Sequence, residues 1–158
     1  MTKTIRRRRK QSKTDYKARL ALLKSALPRL VIRKTNRYII VQLVETNIAQ
    51  DKVIASASSR ELIEKGWPKE NSGRLKNMAA AYLTGFLLVK KLKNPPKNAV
   101  LDIGMNRNIH GSRIYAALKG ALEAGLNVSH NPDVLPSKER ITSSEKFSQT
   151  LKTIKEKL

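Results

Sequence analysis

The first fourteen residues hold seven lysines and arginines (Lys3, Arg6, Arg7, Arg8, Arg9, Lys10 and Lys13) and no acid. Like charges at that density repel one another, so this block cannot build a core. It reads as a solvated arm waiting for a polyanion. The fold must come from the rest of the chain. The chain has 158 residues, 40% of them hydrophobic, which suits one domain with tails. We expect a disordered arm over 1–12, a single α/β domain over 13–136, and a basic helical tail over 137–158.

The formal net charge of +21 speaks to partners, not to fold. The abundant polyanion in a cell is nucleic acid. Anionic lipid is the competing partner, but Arg6 to Lys10 lack the interleaved Trp, Phe or Leu of a membrane-surface helix. No apolar run reaches the roughly 18 residues that span a bilayer. The basic start is not followed by the apolar stretch of a secretory signal. With no cysteine, disulfides, thiolate metal sites and thiol catalysis are excluded together. A soluble, cytoplasmic protein with no membrane partner is expected. Aromatic residues make up only 4%, so a wide base-stacking platform is not.

Along the chain, Ser12 and Asp15 stand three apart as a helix start. Tyr16, Leu20, Leu23 and Leu27 then recur at helical spacing, with Lys17, Arg19 and Lys24 off the centre of the stripe. Pro28 ends that helix. Leu30 to Arg33 and Tyr38 to Val44 read as a β-hairpin across Thr35-Asn36-Arg37. On its second strand Ile39, Val41 and Leu43 share one face, and Tyr38, Ile40 and Gln42 the other. A third strand, Val53 to Ala57, completes an antiparallel meander.

A short helix over Arg60 to Lys65, capped by Ser59, stops at Gly66. A long apolar helix runs from Leu75 to Leu92. Gly85 inside it costs about 1 kcal/mol of helix propensity, which predicts close approach by a neighbouring element. Next come a strand over Ala99 to Ile103, a loop over Gly104 to Gly111, and a helix over Ser112 to Ala124 ended by Gly125. Asn127 to Ser129 reads as a last strand. Phe147, Leu151, Ile154 and Leu158 mark a basic amphipathic tail helix, and their spacing leaves open whether it docks on its own domain or on a partner. The order predicts a mixed sheet with helices packed on it.

The loop Gly104–Gly111 leaves a strand and enters a helix N-terminus, a place suited to a phosphate, with Arg107, His110 and Arg113 around it. It lacks the Gly-Lys-Ser/Thr ending of a P-loop. A phosphate of a nucleic-acid backbone, or a plain polar connection with glycine for turn geometry, are the two readings. Asp102 stands at a strand end, where nucleases place a metal ligand. Two-metal hydrolysis needs several converging carboxylates, and most of the twelve acids fall in helices or tails. We therefore read Asp102 as a structural acceptor. His110 and His130 lack metal-ligand spacing, and no GxSxG elbow is present. Trp67 between Gly66 and Pro68 reads as a core plug. No cofactor and no metal is expected.

Several blocks, in order, resemble the archaeal and eukaryotic branch of a universal large-subunit ribosomal family, called L-eighteen in bacteria and archaea. They are Arg6 to Arg9, Thr14 to Leu20, Leu22 to Ser25, Pro28 to Arg37 with Gln42-Leu43-Val44, and Gly66-Trp67. Ala81 to Gly85, Leu101 to Gly104, Ala117 to Ala121 with Ala124-Gly125-Leu126, and His130 to Pro136 continue the pattern. The resemblance covers about residues 6–141. It implies a ribonuclease-H-like α/β fold without catalysis. It also implies a seat on 5S rRNA and beside 23S rRNA in the central protuberance, next to the L-five family member of the large subunit.

On that reading the rRNA-binding residues are Arg6, Arg7, Arg8, Arg9, Lys10 and Lys13 of the arm, and Lys17, Arg19 and Lys24 of the first helix. Arg33, Lys34, Asn36 and Arg37 on the hairpin, Tyr38 and Gln42 on its open face, and Arg107, His110 and Arg113 at the loop complete the set. The alternatives are a ribonuclease-H-like nuclease using Asp102, a general architectural nucleic-acid binder, and an arm that serves only as a nuclear localisation signal.

Overall fold

The computed structural model describes residues 4–47, 50–142, 149 and 151–155. Its sheet follows from the alternation read in the meander. β1 (Arg29–Lys34), β2 (Ile39–Asn47) and β3 (Gln50–Ser58) pair antiparallel, and β4 (Val100–Asp102) joins β1 in parallel, in the order β3-β2-β1-β4. This is an α/β fold with a mixed sheet, compatible with the ribonuclease-H-like arrangement. Ile39, Val41 and Leu43 are buried on the helix-covered face, while Ile40 and Gln42 are only half-buried on the other. The β2–β3 register shifts at Leu43/Val44, and the first half of β3 is exposed.

The sequence predicts an irregular arm, but Arg7–Lys10 form one exposed helical turn, α1. The next helix, α2, is shorter than its stripe, Tyr16–Leu23, and is capped by Asp15, whose side chain accepts from the Lys17 and Ala18 amides. The chain turns at Ala26 (φ 53°) before Pro28 is reached. The helical layer is α3 (Met78–Lys91) and α4 (Arg113–Glu123). Asn77 caps α3, its side chain accepting from the Ala80 amide at 2.7 Å. Gly85 and Gly120 mark the crossing of the two helices, where any Cβ would strike the other helix's backbone. The close approach predicted at Gly85 is thus real. Trp67 is 2% exposed, plugging the core, and its Nε1 donates to the Asn71 carbonyl at 3.1 Å.

Two later elements also differ from the sequence expectation. The short helix after β3 is a 3-10 turn, Ser59–Ile63, capped by Ser58; Ser59 is instead buried, accepting from the Ile39 amide at 3.1 Å. The last predicted strand reduces to a single bridge, Ala99 to Val128. The segment expected as a helical tail, 137–158, opens on a helical turn, α5 (Lys138–Thr142).

Residues 151–155 of the tail are helical and dock on their own domain. Leu151 and Ile154 are buried, and Lys155 Nζ lies 4.7 Å from the centroid of the Tyr82 ring and 3.2 Å from Glu123 Oε2. Phe147 and Leu158 lie outside the described residues. Burial raises and donors lower the Glu123 carboxyl, and the hydrogen bonds from Tyr82 and Lys155 win, holding it below its ordinary value. Burial and that same carboxylate push the Tyr82 hydroxyl up.

Candidate nucleic-acid interface

β1 and β4 run parallel, so the hairpin tip after β1 and the loop after β4 emerge at the same end of the sheet. The tip is rigid. Thr35 N and Oγ1 both donate to the Tyr38 carbonyl, at 2.9 and 2.8 Å, and the Tyr38 amide returns a bond to Thr35 Oγ1 at 2.9 Å. Lys76, just ahead of α3, donates from Nζ to the Asn36 carbonyl at 3.0 Å and braces the tip from outside. Lys34, Asn36 and Arg37 are exposed there, and Gln42 is half-buried on the open sheet face; Tyr38, expected on that face, stands ahead of β2 and packs half-buried against the core.

The loop is pinned as firmly. Gly104 turns at φ 61° and donates its amide to Asp102 Oδ1 at 2.9 Å; the Gly111 amide reaches the Val134 carbonyl at 2.9 Å. Tyr115 donates its hydroxyl to Asn108 Oδ1. Arg107, His110 and Arg113 are all exposed on it or at its exit into α4. The arm reaches the same place. Arg8 and Lys13 line a groove of about 520 Å³ together with Arg33, Gly104 and Met105. Within the arm, Arg6 lies over the Tyr16 ring at 4.7 Å, and Arg8 Nε donates to Thr14 Oγ1 at 2.8 Å. Arg7, Arg9, Lys10, Lys17 and Lys24 are exposed on α1 and α2.

Two of the expected contacts are already engaged inside the protein. Arg33 donates Nη2 to Asp102 Oδ1 and Nη1 to the Asp102 carbonyl, both at 2.7 Å. Arg19 donates Nη2 to Asp51 Oδ2 at 2.8 Å. Both belong to one chain of ion pairs. Arg29, 2% exposed, bridges Asp51 Oδ1 at 2.8 Å and Asp102 Oδ2 at 2.9 Å. Asp102 is therefore a structural acceptor, as its isolation in the sequence suggests. Among the described residues no group of three His, Cys, Asp or Glu side chains comes together to hold a metal. No described helix is long and apolar enough to cross a membrane.

Sequence reasoning missed Lys76, Asp51 and Arg29. Lys76 and its target are 40 residues apart, and Arg29 and Asp102 are 73 apart, so no local pattern marks them. Partial burial works to raise the Asp51 carboxyl, but hydrogen bonds from Arg19, Thr46 and Arg29 outweigh it and hold it at about 2, from an ordinary 3.8. A depressed folded value means that Asp51 stabilises the fold fully above its unfolded value, and that this contribution is lost as pH falls toward the folded one. Asp51→Asn is thus expected to lower the urea midpoint at neutral pH, with the gap from the parent narrowing between about pH 4 and pH 2. A gap that stays constant over that range would contradict the assignment.

Comparison with known proteins fits this geometry. The family model described as "Ribosomal large subunit proteins 60S L5, and 50S L18" matches residues 2–98 and 89–131. The chain belongs to this family. It is 52% identical over 136 residues to large ribosomal subunit protein uL18 of Korarchaeum cryptofilum, covering 85% of this chain and 68% of that protein. Against the uL18 of Aeropyrum pernix it is 44% identical over 152 residues, 95% of this chain and 69% of the other. The uL18 of Methanospirillum hungatei is 46% identical over 135 residues, 85% and 75%. As a family member the chain is a structural, non-enzymatic constituent of the large subunit in the cytoplasmic ribosome, and these three relatives are archaeal. The uL18 resemblance read from the arm, hairpin and Leu-Asp-Ile-Gly blocks is therefore correct.

Proposed function

We propose that the chain binds 5S rRNA and helps seat it in the central protuberance, next to 23S rRNA and beside the L-five family member. The observation that carries this is convergence. Arm, hairpin tip and β4 loop, three separate basic segments, meet at one end of the sheet, two of them on braced turns. The residues expected to touch rRNA are those set out from the sequence, with Arg19 and Arg33 holding the geometry through their ion pairs and Lys76 bracing the tip.

Binding is electrostatic first. Cations displace condensed counterions from phosphates, so affinity falls with salt. The exposed arginines grip phosphate bidentately or lie flat against bases. Rigid loops then read irregular RNA shape, since plain A-form grooves expose little to side chains. If about eight phosphates are neutralised, log K falls against log salt with a slope of roughly −6 to −7. The test is a filter-binding titration against 5S rRNA and a length-matched scrambled RNA between about 50 and 300 mM salt. The expected result is a steep slope with a 5S preference that survives at the high end. Equal binding to both RNAs at every salt would replace this reading with that of a general binder.

A further inference from the structure

The ion pairs beneath the interface form a relay through four elements. It starts on α2 with Arg19 and passes to Asp51 on β3. Asp51 Oδ1 also accepts from Thr46 Oγ1 of β2 at 2.7 Å. From Asp51 it runs to Arg29 at the start of β1, then to Asp102 on β4, then back to Arg33 near the hairpin tip. The last step reaches the loop, because Asp102 also accepts the Gly104 amide, and Arg33 lies against Gly104 so closely that a Cβ there would meet its guanidinium at 2.8 Å.

This relay is a poor device for stability alone. Arg29 is almost fully buried, and its Nε has no hydrogen-bond partner among the described residues. A buried donor left unpaired costs free energy, and apolar residues of similar volume often stabilise a core at least as well as buried ion pairs. What an ion-pair chain gives that apolar packing does not is a fixed geometry. Here that geometry joins the base of the arm to the sheet. α2 has little else to hold it. None of its residues is fully buried: Leu20 is 58% exposed, and Tyr16 and Leu23 are half-buried.

We propose that Asp51 is a positioning residue of the RNA interface: by holding Arg19 of α2 and Arg29 of β1 on its two carboxylate oxygens, it fixes α2, and with it the base of the arm, on the sheet before RNA arrives. The inference rests on the RNA-binding reading above and adds a residue that touches no RNA. Pre-ordering lowers the entropy lost when the arm binds.

The sign of its effect separates this from simple charge. Removing a carboxylate from a protein that binds a polyanion should tighten binding. Asp51→Asn in the full chain is instead expected to weaken 5S rRNA binding about tenfold at physiological salt, with little change for scrambled RNA. Glu45→Gln, which removes an exposed carboxylate opposite Lys52 on the adjacent strand pair, makes the same change in net charge and is expected to leave 5S affinity equal or slightly higher. Amide hydrogen exchange on the free proteins supplies the second readout. The α2 amides should exchange about tenfold faster in Asp51→Asn and not in Glu45→Gln. Unchanged α2 exchange, or 5S binding by Asp51→Asn as tight as by Glu45→Gln, would overturn the role given to Asp51. A parent protein that shows no 5S preference would overturn the RNA reading instead, so the two failures are told apart.

Discussion

Gly85→Ala is expected to lose about 3 kcal/mol of stability or more, enough to leave a protein of ordinary stability largely unfolded on warming. A Cβ at Gly85 would stand 1.9 Å from the Ala117 carbonyl oxygen and 2.8 Å from its carbon; one at Gly120 would stand 2.0 Å from the Tyr82 carbonyl oxygen. Those are backbone atoms held in helical hydrogen bonds, so no side chain can rotate away. Relief requires α3 and α4 to separate, which strips contacts from Leu83 and Leu118 at the centre of the core. Helix propensity acts in the opposite direction, favouring alanine by about 1 kcal/mol. The sign of the measurement therefore shows which term governs. Gly73→Ala is the control, since a Cβ there meets nothing within 4 Å among the described residues; it should stay within about 0.5 kcal/mol of the parent. Urea unfolding of both proteins decides the matter. A Gly85→Ala midpoint at or above that of Gly73→Ala would mean that the helices part at little cost.

The position of Gly85 was legible because a glycine in an apolar helix carries a local penalty that only a tertiary contact can offset. The strands of the meander were legible for the same kind of reason: Ile39, Val41 and Leu43 must face one way, and a period of two leaves one register. The hairpin and the β4 loop were legible from turn chemistry. What was not legible depended on distant partners. The stripe from Tyr16 to Leu27 has the period of a buried helix, yet α2 buries none of it, since period shows that residues share a face but not whether the chain covers that face. Asn127 to Ser129 has the composition of a strand, but a strand exists only where a neighbour offers an edge, and here only Ala99 does. Asp51 stands just ahead of the strand expected from Val53, with nothing local to mark it. Its function in joining α2 to β1 arises from residues 32 and 22 positions away that no window contains.

The arm is where sequence speaks most plainly about function, and its removal should have the largest effect on binding. Replacing Arg6, Arg7, Arg8 and Arg9 with alanine is expected to lower 5S rRNA affinity about 10²- to 10³-fold near physiological salt and to make the salt slope shallower by about 3, because each phosphate contact contributes roughly 0.7 to 0.9 to that slope. Stability should not change. α1 buries no residue, so thermal unfolding of the free protein should superimpose on the parent's. The two observations together separate loss of contact from loss of fold. A second variant with four lysines in place of the arginines separates charge from geometry. Lysine keeps the counterion release, so the slope should return to that of the parent. It lacks the planar fork that grips phosphate bidentately and stacks on Tyr16 or a base, so part of the affinity deficit should remain. Full recovery with lysine would mean that the arm acts as a cloud of charge, and that recognition rests wholly on the hairpin and the β4 loop. An alanine variant that binds 5S rRNA as tightly as the parent would mean that the arm contributes nothing to RNA binding, which is the outcome expected of a segment serving only as a localisation signal.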